Sequence, residues 1–264
     1  RQMGVYAIYR DITERKKAEE ARIRSQEEAK TARNIQMNFL PKSDPIVPGY
    51  EIAGKSVPAF NVGGDYYDFI RLDEHRLAIG IGDVSGNGLA ASLVMANLQA
   101  TVRGQAMHDL DPAQCLERAN TLLFGSTDSR TFISLFFGIL DSQKDTLTYA
   151  NAGQDLPMLF SAGGKSATLG KRGIALRMKQ DVRYEKEEIH LNPGDRLLFY
   201  TDGIIEAMDS TKEEFGAERL RDFFDTINRG SAREIIEQII DRVVSHAGSP
   251  VQNDDMTIVL LRRR

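Results

Sequence analysis

The sequence predicts an α+β protein in which antiparallel sheets carry helices packed on their outside. Two observations predict it. Short apolar or alternating runs follow one another like hairpins, and the amphipathic stretches come in consecutive pairs instead of alternating one for one with strands, which disfavours a doubly wound parallel sheet. Size sets a third bound: 264 residues, 41% hydrophobic and 27% charged, suffice for one large domain or two small ones with a true core.

The first ten residues, RQMGVYAIYR, alternate like a strand, and Asp11 with the following ITER reads as a helix start. Residues 1–12 therefore read as the end of one module. Over residues 14–33 most positions are charged, with acids and bases placed to pair at helical spacing. Counting in sevens from Ala18 gives Ala21, Ser25, Glu28, Ala32, Ile35 and Phe39, a seam that is apolar toward its end. The stretch 13–42 reads as a helical linker, either pairing with a second copy of itself or standing as a lone amphipathic helix. Pro41 stops it.

The main domain is expected over residues 43–264. Strands are predicted at Glu51–Ala59, Tyr66–Leu72 and Arg76–Val84, then two consecutive helices at Gly88–Met107 and Pro112–Phe124. Further strands follow at Phe132–Leu140, Thr146–Asn151, Pro157–Phe160, Tyr184–Leu191 and Arg196–Thr201. Helices are predicted at Gly216–Ile227 and Ser231–His246, and Met256–Leu261 closes the chain as a strand.

Composition narrows the function. A formal charge of -4 argues against a nucleic-acid partner, which needs a basic face. The single cysteine, Cys115, can form neither an internal disulfide nor a thiolate metal cage and fits a reducing compartment, so a cytoplasmic protein is expected. The longest uncharged stretch, Gly88–Val102, is too short and too polar to cross a membrane.

Four acidic motifs stand at strand ends: GGDYYDF (63–69), GDVSGNG (82–88), YTDG (200–203) and NDDMT (253–257). Each alone is compatible with a turn, and the ordered set carries the reading. Asp83 and Asp202 end apolar runs, while Asp65 and Asp254 precede them. A carboxylate beside a buried strand is costly without a compensating positive charge, and no Arg or Lys within the motifs supplies one. Four such groups converging would repel one another unless polyvalent cations lay between them. Oxygen-only donors favour Mg²⁺ or Mn²⁺ over Zn²⁺, and a metal pair suits phosphate-ester cleavage.

From about Ala32 onward, NIQMNFLP, GGDYYDF, GDVSGNGLAASLVMA, YANAG, PGDRLLFYTDGIIEA, FGAERL and NDDMTIVLL resemble the metal-dependent serine/threonine phosphatases of the protein phosphatase 2C (PP2C) class, in their bacterial SpoIIE-like branch. The resemblance implies an α-β-β-α sandwich of two antiparallel sheets flanked by helix pairs, with two Mn²⁺ or Mg²⁺ ions at one end. It implies metal ligation by Asp65, Asp83, the Val84 carbonyl, Asp202 and Asp254, with Asp83 bridging, and direct hydrolysis of phosphoserine or phosphothreonine by metal-activated water. Asp68 and Asp255 are then outer residues at best. His75, His108, His190 and His246 share no motif and read as surface or core residues.

Two departures from the class stand out. The segment Pro58–Val62 lacks the arginine with which animal-type members hold phosphate, so the metals and backbone donors carry more of that task. Gln154 and Asp155 replace the histidine that often follows the NAG of related bacterial sequences.

GVYAIYRDITERKKAEEA resembles the last strand of a PAS sensor and its exit helix, which implies a sensor joined by the linker to a phosphatase. The branch implies a phosphorylated STAS-domain anti-anti-sigma factor as substrate. A homodimer through the linker helix is expected. The rivals are a catalytically silent, partner-binding pseudophosphatase, a diguanylate cyclase, whose GGD(E/D)F motif the two tyrosines of GGDYYDF interrupt, and a histidine kinase, for which the helix after the linker has no histidine.

Overall fold

Period-two alternation decides the architecture. In β3 (Arg76–Val84), Leu77, Ile79 and Ile81 face one way and Ala78 the other, and all are buried. In β10 (Met256–Arg263), Val259 and Leu261 oppose Ile258 and Leu260, again all buried. Strands apolar on both faces must be covered on both. The covering is a four-layer sandwich, seen in a computed structural model that describes residues 13–108, 111–125, 131–227, 229–248, 252 and 254–264. The expected sensor remnant, residues 1–12, lies outside the described residues.

One sheet has the order β1 (Tyr50–Val57), β10, β9 (Arg196–Tyr200), β6 (Met158–Phe160), β7 (Ser166–Thr168). The other runs β2 (Tyr66–Arg71), β3, β4 (Ile133–Asp141), β5 (Thr146–Ala152), β8 (Glu187–His190). Every pairing is antiparallel. Between the sheets lie Leu77, Ile79, Ile81, Phe136, Phe199, Val259 and Leu261. Outside one sheet, α2 (Gly88–Ala106) and α3 (Pro112–Phe124) bring Met95, Leu98, Val102 and Leu116 onto Ala78, Leu135 and Phe137. Outside the other, α5 (Ala217–Thr226) and α6 (Ala232–Ala247) press Leu220, Phe224, Ile236 and Ile239 onto Leu198, Ile258 and Leu260. Burial of each such side chain contributes roughly 1.5–3 kcal/mol.

Local chemistry sets the helix ends. Asp111 accepts from the Gln114 N–H at 2.9 Å, with Pro112 opening α3. Ser231 and Glu234 form a capping box on α6, and Gly248, at φ 64°, ends it.

The structure adds two elements and shortens one. β7 is three exposed residues paired only to β6, and α4 (Asp202–Ile205) is a single turn; neither is long enough to show periodicity. β8 starts at Glu187, later than expected, because Tyr184 turns inward to the helix-covered core and donates its hydroxyl to the Ile174 carbonyl at 3.0 Å.

α1 (Thr13–Met37) precedes the sandwich and is exposed along most of its length. Its end touches the domain: Gln36 and Leu40 are buried, while Ile35 and Met37 stay open to solvent.

Candidate metal centre

The sandwich brings four strand ends to one edge. Asp83 lies near the end of β3, opposite Ser134 of β4. Asp202 follows β9 and opens α4, Asp254 lies just before β10, and Asp65 just before β2. Asp65 is buried, Asp83 and Asp202 are half-buried, and Asp254 is exposed, so the cluster opens outward from a closed floor.

The charges are close enough to disturb one another. Burial, then the charges of Asp83 and Asp255, hold the Asp65 carboxyl well above the ordinary carboxylate range. Burial, then Asp202, Asp254 and Asp255, push Asp83 up to about 7. Asp202 and Asp254 are raised by burial first, then by acidic neighbours. A site that lifts four carboxyls together is short of positive charge.

The glycines of the motifs explain how the floor closes. A Cβ on Gly64 would lie 2.7 Å from the Val84 carbonyl oxygen and 3.1 Å from Asp83 Oδ1, so those two oxygens flank the space that Gly64 leaves open. A Cβ on Gly63 would fall 2.0 Å from Asp255 Oδ2, and one on Gly203 2.0 Å from the Asp255 carbonyl oxygen. Through these gaps the buried Asp255 side chain accepts from the N–H groups of Ala59 at 2.8 Å and Gly64 at 2.7 Å. Asp255 thus ties the 253–257 motif to the 63–65 loop, a supporting role beneath the carboxylate quartet. Thr201 donates its hydroxyl to Asp65 Oδ2 at 2.8 Å and accepts from the Thr257 N–H at 3.0 Å, fixing the most buried carboxylate between β9 and β10.

Asp68 does not join the quartet. Its carboxylate is fully buried beneath α2 and receives two bonds from Arg103, at 2.6 and 2.9 Å, so GGDYYDF does have a compensating cation, supplied 35 residues downstream. Asp68 is a core ion pair, which corrects its reading as an outer residue of the site.

Other parts were not legible in the motifs. Ser134 Oγ donates to Gln154 Oε1 at 2.6 Å and lies 3.4 Å from the Asp83 carbonyl oxygen, while Gln154 Nε2 donates to the Tyr200 carbonyl at 3.0 Å. Gln154 therefore links β4, the neighbour of the Asp83 strand, to β9, which leads into Asp202, joining the two sheets. On the linker side, Gln36 Nε2 donates to the Gly63 carbonyl at 2.6 Å and Gln36 Oε1 accepts from the Gly63 N–H at 3.0 Å. The only sequence signal for either glutamine is its place inside a family-like string, NIQMNFLP or YANAGQ.

The donor set fits hard divalent cations. The Asp83 carboxylate and the Val84 carbonyl share one cradle at Gly64, and the candidate donors are all oxygen. Among the described residues no group of three or more His, Cys, Asp or Glu side chains stands close enough to hold a metal ion as it is. His246, on α6, packs its ring against Phe215.

This sandwich, with acidic strand ends gathered at one edge, defines a PP2C-type phosphatase domain. The chain belongs to the stage II sporulation protein E (SpoIIE) family, whose pattern matches residues 73–264. Protein IcfG of Synechocystis is 28% identical, over 89% of this chain and 41% of its own length. The phosphoserine phosphatase RsbU of Bacillus subtilis is 29% identical, over 90% of this chain and 70% of its own. The SiaA-PP2C domain of Pseudomonas aeruginosa superposes with a TM-score of 0.79 at 25% identity, covering 92% of this chain and 98% of that domain. The chain spans less than half the length of IcfG. Among the described residues no helix is long and apolar enough to cross a membrane.

Proposed function

We propose that this chain is the catalytic part of a protein serine/threonine phosphatase that removes phosphate from phosphoserine or phosphothreonine of a regulatory protein, under control of an upstream sensor. The convergence of Asp65, Asp83, Asp202 and Asp254 carries the reading. In it, residues 1–12 end a PAS-like sensor, 13–42 form the linker and 43–264 the catalytic domain. The relative RsbU is named a phosphoserine phosphatase, and the SpoIIE-like resemblance points to a phosphorylated STAS-domain anti-anti-sigma factor as substrate.

Asp65, Asp83, the Val84 carbonyl, Asp202 and Asp254 would hold two Mn²⁺ or Mg²⁺ ions. Such a pair, when bound, activates water and offsets the charge of the phosphoryl oxygens. The chain's own groups prepare the place. Asp255 fixes the loop that presents Asp65, Thr201 aims the Asp65 carboxylate, and Gln154 sets the spacing of the Asp83 and Asp202 strands. All three are held by bonds within the fold, so geometry is established before substrate arrives, which is where enzymes of this kind gain rate. The open outer side, where Asp254 is exposed, admits a phosphorylated side chain on a protein surface.

Regulation follows from the two bonds between Gln36 and Gly63. A linker residue holds the backbone two positions before Asp65, so a shift of α1 is felt at a metal ligand. The exposed Ile35 and Met37 offer the linker an apolar surface for a second copy, which supports the homodimer.

The test is Mn²⁺-dependent hydrolysis of p-nitrophenyl phosphate and a phosphoserine peptide, abolished by Asp83→Asn. A clean preparation that neither binds Mn²⁺ nor hydrolyses would overturn the reading, and conversion of GTP would support the cyclase instead. For regulation, solution mass and rate are compared for chains beginning at Arg1 and at Ser43; identical behaviour removes the linker's role.

A further inference from the structure

The carboxylate quartet has an apolar neighbour. A cavity of about 130 Å³ is lined on one side by Asp254 and by Gly203, the residue after Asp202, so two of the four acidic motifs help to form it. The rest of its lining is mostly apolar. Met208 follows α4, Val243, Val244 and Ala247 belong to the last turns of α6, and Met256 begins β10. An apolar cavity of about 150 Å³ takes a benzene ring, so this one has room for one branched or aromatic side chain.

The frame stands before any ligand arrives. The Glu206 N–H donates to the Asp202 carbonyl, the Gly216 N–H to the Ile205 carbonyl and the Phe215 N–H to the Ala207 carbonyl, each at 2.8 Å, which pins residues 205–207. Met208 pairs with Glu214 in an antiparallel bridge. The end of α6 is tied to the same segment: the His246 ring packs on Phe215, and its Nε2 lies 3.0 Å from the Glu213 carbonyl oxygen. A pre-formed concavity, mainly apolar with a few polar groups, is the usual form of a ligand site.

Its position points to the substrate. Val243 and Met256 are buried, whereas Met208 is 40% exposed and Asp254 is exposed, so the cavity meets solvent where the quartet does. Gln252 also lines it, and Gln252 Oε1 is buried without a hydrogen-bond partner among the described residues. Such an acceptor costs stability until a donor, such as a peptide N–H, meets it. Two positions along an extended chain a side chain returns to the same face, about 7 Å on. A substrate presenting its phosphate to metals at Asp254 therefore lays a flanking side chain over the cavity that Asp254 also lines. The charges in that lining, Glu206 and Asp254, are both acidic and exposed, which favours an apolar side chain there and opposes an acidic one.

We infer that this cavity receives an apolar side chain of the phosphoprotein substrate, from a residue within two positions of the phosphorylated one, and so selects among phosphorylated sequences. This rests on the phosphatase reading above.

The experiment uses the full chain saturated with Mn²⁺ and phosphoserine peptides that differ at one position, two or one before the phosphoserine or one or two after it. At one of the four, Leu in place of Ala is expected to raise kcat/KM by roughly 10- to 100-fold, the burial of one such side chain, and Asp should lower it. Ala247→Leu fills the cavity and should bring the Leu-to-Ala ratio to within about twofold of one. Met208→Ala widens it and should turn the preference from Leu toward Phe. Each ratio is read within one protein, so a general loss of activity cancels, and turnover of the Ala peptide shows that the variant is folded. A wild-type ratio within about twofold of one at all four positions overturns the inference, as does a preference that Ala247→Leu leaves unchanged. A flat preference together with inhibition by benzene that Ala247→Leu abolishes also overturns it and assigns the cavity to a small apolar ligand. A wild type that neither binds Mn²⁺ nor hydrolyses any peptide defeats the phosphatase reading itself, a result distinct from a wild type that hydrolyses all the peptides alike.

Discussion

Replacing Asp83 by Asn should make the metal-free protein more stable while destroying its capacity for metal. Burial first, then the charges of Asp202, Asp254 and Asp255, push the Asp83 carboxyl from 3.8 up to about 7. The folded state therefore resists the charged form. Below about pH 4 the carboxyl is protonated in both folded and unfolded chains and no penalty exists. Between about 4 and 7 the unfolded chain ionises while the folded one resists, so stability falls as pH rises, and above 7 the full penalty applies. At 1.36 kcal/mol per pKa unit, the gap from 3.8 to about 7 amounts to about 4 kcal/mol. Relaxation of a half-open site lowers the expected gain to about 2–4 kcal/mol. Urea unfolding with EDTA at pH 4 and pH 8 should show wild type and Asp83→Asn nearly equal at the lower pH and the variant ahead at the higher. Added Mn²⁺ at a hundredfold its Kd should raise the wild type by about 2.7 kcal/mol and leave the variant almost unmoved. A stability difference that is the same at both pH values would refute the cost of ionising a buried, acid-flanked Asp83 as the cause.

Gly64→Ala places a methyl 2.7 Å from the Val84 carbonyl and should lower Mn²⁺ affinity by roughly 10- to 100-fold in a calorimetric titration, at a stability cost of about 1–3 kcal/mol. Gln36→Ala removes both bonds to Gly63 and should move the rate of the full chain toward that of a chain beginning at Ser43; an unchanged difference between the two chains would separate the linker from the site. Arg103→Ala strands the fully buried Asp68 and should cost about 2 kcal/mol by urea unfolding, less than a fully enclosed pair because Arg103 is itself half exposed, while Arg103→Met with Asp68→Asn should recover most of it.

The layering and the strand ends were legible because both leave periodic or compositional marks. Alternation over 76–84 and 256–261, and paired helices at 88–107 and 112–124, sufficed to place β3, β10, α2 and α3 within a residue or two at most boundaries. Position within a motif was enough to nominate Asp65, Asp83, Asp202 and Asp254, since an acid beside a buried strand has few purposes. Asp68 and Asp255 show where this fails. Both are acids in the same motifs, yet one is neutralised by Arg103 from a helix far along the chain and the other spends its oxygens on the backbone of Ala59 and Gly64. Local sequence states what a residue can donate or accept, and the partner is chosen by tertiary packing. Gln36 and Gln154 were hidden for the same reason: each bonds a residue 27 or more positions away.

The arrangement explains why a self-repelling centre does not undo the fold. The carboxylates stand at the ends of strands whose interiors are apolar on both faces, so register is fixed by residues such as Ile79, Ile81, Val259 and Leu261, well away from the charge. A slip of one residue would carry Asp83 off its edge and bury alternate side chains on the wrong face, a cost of several core residues against the few kcal/mol that repulsion can return. Stability is thus concentrated in the three hydrophobic layers and strain at one edge. The contacts that adjust that edge, Gln36 to Gly63 and Gln154 to Tyr200, are polar and few, and they join a turn and a linker to it. Such contacts can change partner without disturbing the layers, which makes the edge the part of this domain that a moving linker can alter at least cost.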